Sequence, residues 1–273
     1  MKGFISLGLS AAVVALASSM AQASSVFTYA FGPPSAGSVD TTTDTWSGDV
    51  TIPSWNTSIV VPVYLQETIN VGSSGDTSQL ATYGLFSAGV QVDRGPGTGV
   101  NMTGSTPNVT TPDAPTPGFQ DLAYTDPDTA NSLVIPALVD LSYSLSHEHT
   151  SFALINNNVG FSGVSPYVEA LPGGVSFRVL LGDVTFTPLP ANGTTTFVAS
   201  AYAPFDDFLP TMNTIYDPTS DSYLSPPIDF IGNATLNVTV AAPSSVPLPT
   251  SVAMGLAGLL GLLSGRSYLR RAR

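Results

Sequence analysis

The sequence predicts an all-β body, an antiparallel two-sheet sandwich or jelly roll, set between two short apolar terminal segments that read as helices. Three observations carry that reading. Apolar residues recur at every second position in short runs, which is the period of a half-buried strand. Between the two ends, no window of a dozen residues shows a helical stripe, so nothing is available to cross between parallel strands. The runs are separated by clusters of Gly, Pro, Asn and Ser, and 25 glycines and 23 prolines in 273 residues supply that punctuation.

Taken in order, the first element is not a strand. Lys2 gives a positive start, residues 4–17 an apolar core, and Ala21-Gln22-Ala23 small residues at two cleavage subsites. That is the layout of a secretory signal peptide, in which signal peptidase reads Ala21 and Ala23 and the mature chain starts at Ser24. Strands are expected at residues 49–53, 58–66 and 81–93. Residues 94–131, rich in Pro, Gly, Thr and Asp, read as a long surface excursion. Strands resume at 133–144 and 151–155. Val175, Phe177 and Val179 then alternate with polar neighbours, as do Val184 and Phe186, which gives two strands joined near Gly182-Asp183. The last strands are 194–202 and Ala234-Thr235-Leu236-Asn237-Val238-Thr239-Val240, for nine or ten in all. The expected organisation is a signal peptide at 1–23, one acidic β domain at 24–245 and a tail at 246–273.

Charge narrows the function classes. Five of the seven basic residues lie at the chain ends, so residues 24–245 hold two basic and nineteen acidic residues, a net of −17. Only Arg94 and Arg178 remain in the body. Such a surface repels nucleic acid and anionic headgroups, so nucleic-acid binding is set aside. Cysteine is absent, so an exported body of about 222 residues must hold together through its core alone.

Few groups in the body suggest chemistry. Ser146-His147-Glu148-His149-Thr150 holds both histidines. In a strand their spacing puts the two rings on one face, but zinc needs further ligands, and a polar strand end or turn is the plainer reading. Asp121, Asp126 and Asp128 crowd one loop, while Asp206, Asp207, Asp217 and Asp221 bracket another. Structural calcium is the cofactor such oxygen-rich loops could hold, although neither matches an EF-hand, and solvated loop acids are the alternative. Of the glutamates, Glu67, Glu148 and Glu169 form no paired-carboxylate signature. No Gly-x-Ser-x-Gly elbow accompanies the histidines, so no catalytic residue is assigned. Trp46, Trp55, Tyr64, Tyr83 and Tyr124 are stacking candidates for a polysaccharide, or core residues. Six Asn-x-Ser/Thr sequons, at Asn56, Asn101, Asn108, Asn192, Asn233 and Asn237, do not discriminate between hosts.

The tail is the most specific segment. Val246-Pro247-Leu248-Pro249 precedes an apolar run over 251–265, at most about 19 residues if extended to 269, which is marginal for a bilayer. Arg270, Arg271 and Arg273 follow and hold that end inside. A GPI signal does not end in arginines, and a sortase signal needs Leu-Pro-x-Thr-Gly, which is absent. The combination of Pro-x-Pro, short Gly/Leu-rich helix and basic end resembles the PEP-CTERM sorting signal of Gram-negative bacteria. Pro247 and Pro249 match its prolines and Arg270, Arg271 and Arg273 its basic end, with Leu248 in place of the usual glutamate. The resemblance implies transient insertion of residues 251–269 in the inner membrane, cleavage by an exosortase-type protease, and delivery to the cell surface or an exopolysaccharide matrix.

Within the body, Val61-Pro62-Val63-Tyr64-Leu65-Gln66, the run from Tyr83 to Asp93, Leu181-Gly182-Asp183-Val184-Thr185-Phe186-Thr187 and Gly193-Thr194-Thr195-Thr196-Phe197 resemble strands of cohesin-like domains. That resemblance implies a cohesin-like or immunoglobulin-like sandwich acting as a noncatalytic adhesive or structural module, with exopolysaccharide or other surface proteins as partners. The competing expectations are an extracellular polysaccharide-binding module and a secreted glycan hydrolase.

Overall fold

Twelve strands build two six-stranded sheets packed face to face. The computed structural model describes residues 25–34, 48–52, 57–69, 77–110, 118–125, 132–156, 168–202, 214–217, 222–223 and 231–241. The strands are β1 (Ser25–Phe31), β2 (Asp49–Ile52), β3 (Ile59–Ile69), β4 (Ser87–Gly97), β5 (Val100–Pro107) and β6 (Leu138–Tyr143). They continue as β7 (His149–Ile155), β8 (Val168–Ala170), β9 (Ser176–Pro188), β10 (Gly193–Ala201), β11 (Ile231–Gly232) and β12 (Ala234–Val240). Sheet one runs β8-β9-β3-β1-β11, with β5 also on β9. Sheet two runs β6-β7-β4-β10-β12-β2. The sandwich predicted from alternation is therefore what forms.

The inner faces follow from the period of two. Along β3, Ile59, Val61, Val63 and Leu65 are buried while Val60, Pro62, Tyr64 and Gln66 are half-buried on the outer face. Phe186 of sheet one meets Phe197 of sheet two at a centroid separation of 4.5 Å, tilted by 56°. Each ring contributes roughly 1.5–3 kcal/mol by leaving water, and their tilted contact about 0.5–1.5 kcal/mol more. Tyr29 on β1 also crosses the core, donating its hydroxyl to the Gly89 carbonyl of β4 at 2.6 Å.

The ladders depart from the expected pattern in several places. Both sheets end in short parallel strands, β11 against β1 and β2 against β12, so the antiparallel arrangement holds for the sheet interiors. The two strands expected on either side of Gly182-Asp183 are one strand, β9, carrying an irregularity between Leu180 and Gly182. There the extra residue bends the strand instead of turning it. Before the bend β9 shares an edge with β8, and after it with β5. Gly182 is required at that bend because a Cβ would stand 2.7 Å from the Thr106 carbonyl and 3.0 Å from Phe152. Residues 94–131, read as an excursion, contain the end of β4, all of β5, a two-residue parallel ribbon, Val109–Thr110 with Phe119–Gln120, and the strand Leu122–Thr125. That strand pairs with Ser132–Ile135, so the strand expected at 133–144 is two, the second being β6 in sheet two. Finally, the start of the strand expected at 81–93 is a helix, α1 (Gln79–Tyr83), with Ser78 as its N-cap.

Candidate functional site

Helix α1 exists because of a carboxylate that alternation misplaces. Glu67 occupies a core-facing position of β3 and is fully buried. Its Oε1 accepts from Ser25 Oγ at 2.7 Å and Gln79 N at 3.0 Å. Its Oε2 accepts from Ser78 Oγ at 2.6 Å and Leu80 N at 2.9 Å. Four donors satisfy one buried charge, as burial demands. Glu67 is thus the clasp between β1, β3 and the start of α1.

The histidines separate. His149 opens β7 on the outer face of sheet two, directly opposite Asp93 of β4. Its Nδ1 lies 2.6 Å from Asp93 Oδ1, and Gln91 Nε2 donates to Asp93 Oδ2 at 3.0 Å. A carboxylate accepts, which puts the imidazole proton on Nδ1. His147 sits in the β6–β7 turn with φ of 62°. Its Nδ1 bonds the Tyr143 hydroxyl, which donates its own proton to the Met102 carbonyl at 2.7 Å. The two rings therefore serve different strands and share no ligand.

That turn is tightly built. Ser144 Oγ and Ser146 Oγ lie 2.6 Å apart, Ser146 N donates to Ser144 Oγ, His147 N to the Ser144 carbonyl, and Ser144 N to the His149 carbonyl. At its apex Leu145 is 94% exposed. Behind it, Leu141 pairs with the core residue Phe152 and Tyr143 with Thr150, so both point inward. They nevertheless stay 46% and 36% exposed, because β6 is the edge of sheet two. Burial raises the Tyr143 phenol above its ordinary pKa.

Further along the same sheet, the Tyr202 hydroxyl donates to Asp140 Oδ2 on β6. It reaches across β7 and β4 because the intervening positions are Ala153 and Gly89. Burial and the Asp140 bond raise its pKa. Ser151, beside this phenol, opposes that rise. Its hydroxyl is the one buried side-chain polar atom without a partner among the described residues.

On the outer face of sheet one, the Arg178 guanidinium lies 4.2 Å from the Tyr64 ring centroid, and its Nε donates to Glu169 Oε2 at 2.7 Å. Burial raises the Tyr64 phenol, with Arg178 opposing. Burial also raises the nearby Asp183 carboxyl. Arg94, the other body cation, donates to the carbonyls of Gly97 at 2.5 Å and Val100 at 3.0 Å, tying the chain where it passes from sheet two to sheet one.

The candidate metal ligands come out as follows. Asp121 Oδ1 accepts from Ala137 N at 2.7 Å, a loop-bracing bond. Asp217 stands in a two-residue ribbon with 222–223. Asp126, Asp128, Asp206, Asp207 and Asp221 lie outside the described residues. Among the described residues no three His, Cys, Asp or Glu side chains group to hold a metal. Of the stacking candidates, Tyr64 has one face covered by Arg178 and Tyr83 packs against the core. Trp46 and Trp55 lie outside the described residues. Ala21, Ala23, Val246, Pro247, Leu248, Pro249, Arg270, Arg271 and Arg273 also lie outside them, as does the run 251–269. No helix among the described residues is long and apolar enough to cross a membrane.

Sequence reasoning missed Glu67 because its hydrogen-bond donors lie 42 residues before it and 11–13 after it. A glutamate standing in an otherwise apolar alternating register was the available signal. The exposed apolar edge likewise lay unread in Leu141, Tyr143 and Leu145, three residues at a spacing of two.

No family model matches the chain, and no curated protein does. The solved structures similar to it include cohesin modules. A non-cellulosomal cohesin from Archaeoglobus fulgidus is 10% identical, over 80% of this chain and 94% of that one, with a TM-score of 0.35. A type II cohesin domain from the cellulosome of Acetivibrio cellulolyticus is 10% identical, over 78% and 94%, with a TM-score of 0.36. The cohesin of a type I cohesin–dockerin complex from Clostridium thermocellum is 7% identical, over 79% and 99%, with a TM-score of 0.37. Overlays this loose carry no argument about partners or activity, and the sandwich rests on its own sheets.

Proposed function

We propose that the protein is a noncatalytic, exported module of the cell surface or extracellular matrix, delivered by its C-terminal Pro-x-Pro/helix/Arg signal and serving a structural or adhesive role. The observation that carries the noncatalytic part is how its charged groups are spent. Glu67 binds four donors, Asp93 holds His149, Glu169 holds Arg178, Arg94 holds two carbonyls and Asp140 accepts from Tyr202. Each of these groups braces a strand or a turn, which is the use a load-carrying sandwich makes of polar residues. Export rests on the signal-peptide layout, and sorting rests on the resemblance of residues 246–273 to the PEP-CTERM signal. An exosortase-type protease and signal peptidase are then its processing partners, and surface polysaccharides or proteins its neighbours.

The test is made in the producing cells. Surface biotinylation and terminal mass spectrometry should recover a protein starting at Ser24 and ending near Pro249. Deleting residues 246–273 should release it into the medium. Recovery of the full C-terminus through Arg273, or surface retention after the deletion, would refute the sorting reading.

A further inference from the structure

We infer that one end of the sandwich, led by Leu145, is a lipid-contact surface that rests on the zwitterionic face of the bilayer while the C-terminal segment is inserted. The inference deepens the proposed function and rests on its reading of the tail.

Register fixes the geometry. β4 runs toward this end, where His149 pairs with Asp93 and Gly97 with Thr195. Gly193 pairs with Val240, and Ala241 N donates to the Ile52 carbonyl at 3.0 Å. The end therefore gathers the corner at 98–99, the sheet-to-sheet connection at 189–192, the β6–β7 turn and the point where β12 hands the chain on to residues 242–273. Three strand spacings separate β12 from β7, about 15 Å. Nine residues, 242–250, lie between Ala241 and the apolar run and span at most about 30 Å. A body tethered on so short a leash must meet the membrane with this end or lie close against it.

What this end presents is unusual for a loop. Turns are ordinarily polar, yet the apex is a leucine with 94% of its surface in water, and behind it the inward-facing Leu141 and Tyr143 stay partly open at the β6 edge. The turn is held by its own hydrogen bonds, so Leu145 projects at no further ordering cost on contact. One leucine is too little to bind a membrane unaided. Tethering supplies the missing term, because the inserted tail keeps the tip at high effective concentration near the surface. Glu148 at the turn, and the −17 of the body, select zwitterionic over anionic lipid.

The chain has no cysteine, so a single Leu145→Cys variant of the full-length protein takes one environment-sensitive label. Asn233→Cys, exposed before β12 at the opposite end, is the control. The labelled proteins are reconstituted in phosphatidylcholine/phosphatidylethanolamine vesicles, and tail insertion is scored separately by protection of residues 251–269 from protease. The expected result is a blue-shifted label at 145, several-fold less accessible to iodide and quenched by a lipid-phase quencher. The label at 233 should stay aqueous, and phosphatidylglycerol should weaken the shift at low salt. Full insertion with an aqueous label at 145, or equal shifts at both sites, overturns the inference and leaves the sorting reading intact. Failure of the tail to insert overturns both.

Discussion

Replacing Glu67 by glutamine is the most discriminating perturbation of this fold, because it keeps size and shape while changing one atom's role. Each carboxylate oxygen takes one hydroxyl and one backbone N–H. The serines can rotate to accept from a new amide NH2, but the backbone groups cannot. Whichever oxygen becomes nitrogen, either Gln79 N or Leu80 N then faces a donor. One orphaned buried N–H costs about 1–3 kcal/mol, and the bonds that survive lose their charge assistance. For a domain of this size about 1 kcal/mol moves Tm by roughly 2–4 °C, so a 2 kcal/mol loss is read as about 4–8 °C by circular dichroism on residues 24–245. Leucine at the same position sharpens the test. A core that wanted only apolar area would gain from Glu67→Leu, whereas the clasp loses acceptors for both N–H groups at once, so leucine should cost more than glutamine. A glutamine variant within about 1 °C of the parent, or a stabilised leucine variant, would refute the reasoning.

Three further outcomes are expected. Thr195 Oγ1 is buried and accepts from both Gly99 N and Val100 N at 3.0 Å, so isosteric Thr195→Val should lose about 1–3 kcal/mol for each orphaned group, measured by urea unfolding. Gly182→Ala should cost about 1–3 kcal/mol by overpacking against the Thr106 carbonyl and Phe152, while Gly173→Ala, which meets no atom within 4 Å but has φ of 94°, reports backbone strain alone. Burial raises the Asp183 carboxyl above its ordinary 3.8. The folded state thus favours its protonated form, and the contribution of Asp183 is best below pH 3.8 and falls as pH rises through the elevated folded value. Asp183→Asn should therefore gain on the parent at neutral pH and lose that advantage below pH 3.8; an equal difference at both pH values would contradict the burial argument.

The parts of the fold legible in the sequence are those where one face is dry and the other wet. β3, β10 and β12 alternate cleanly because each has a core side and a solvent side, and their bounds fall close to expectation. β5 was hidden because Thr103, Gly104, Ser105 and Thr106 give no alternation; pairing with the second half of β9, a long-range event, makes it a strand. β9 was split because Gly182-Asp183 has turn chemistry, and only the packing of Phe152 and Thr106 against Gly182 shows that glycine there serves close approach. The His147/His149 spacing was readable, but its meaning depended on a left-handed residue at 147 that no local rule announces.

A sandwich without cysteine needs another way to fix its strands, and the outer faces show which one was used. On sheet one, Thr187 Oγ1 lies 2.9 Å from Ser58 Oγ and 2.8 Å from Thr103 Oγ1, joining three strands or their flanks. On sheet two, Thr196 donates to Asn237 Oδ1 at 2.9 Å, and Asn237 Nδ2 to Asp49 Oδ1 at 2.9 Å, linking β10, β12 and β2. Thr194 and Thr239 repeat the pattern one step along at 2.8 Å. Exposed bonds of this kind contribute only about 0.2–1 kcal/mol each. Their value is positional, because each row exists in a single register and a slip of one residue would turn it into the core. The composition that makes the sequence look featureless, rich in Thr, Ser and Asn and poor in charge, is therefore the register code of the sheets. Among the described residues Arg94 braces the corner after β4 and Arg178 the β8–β9 pair, and the sandwich itself gives no reason for the leucine held out at the tip of β6–β7.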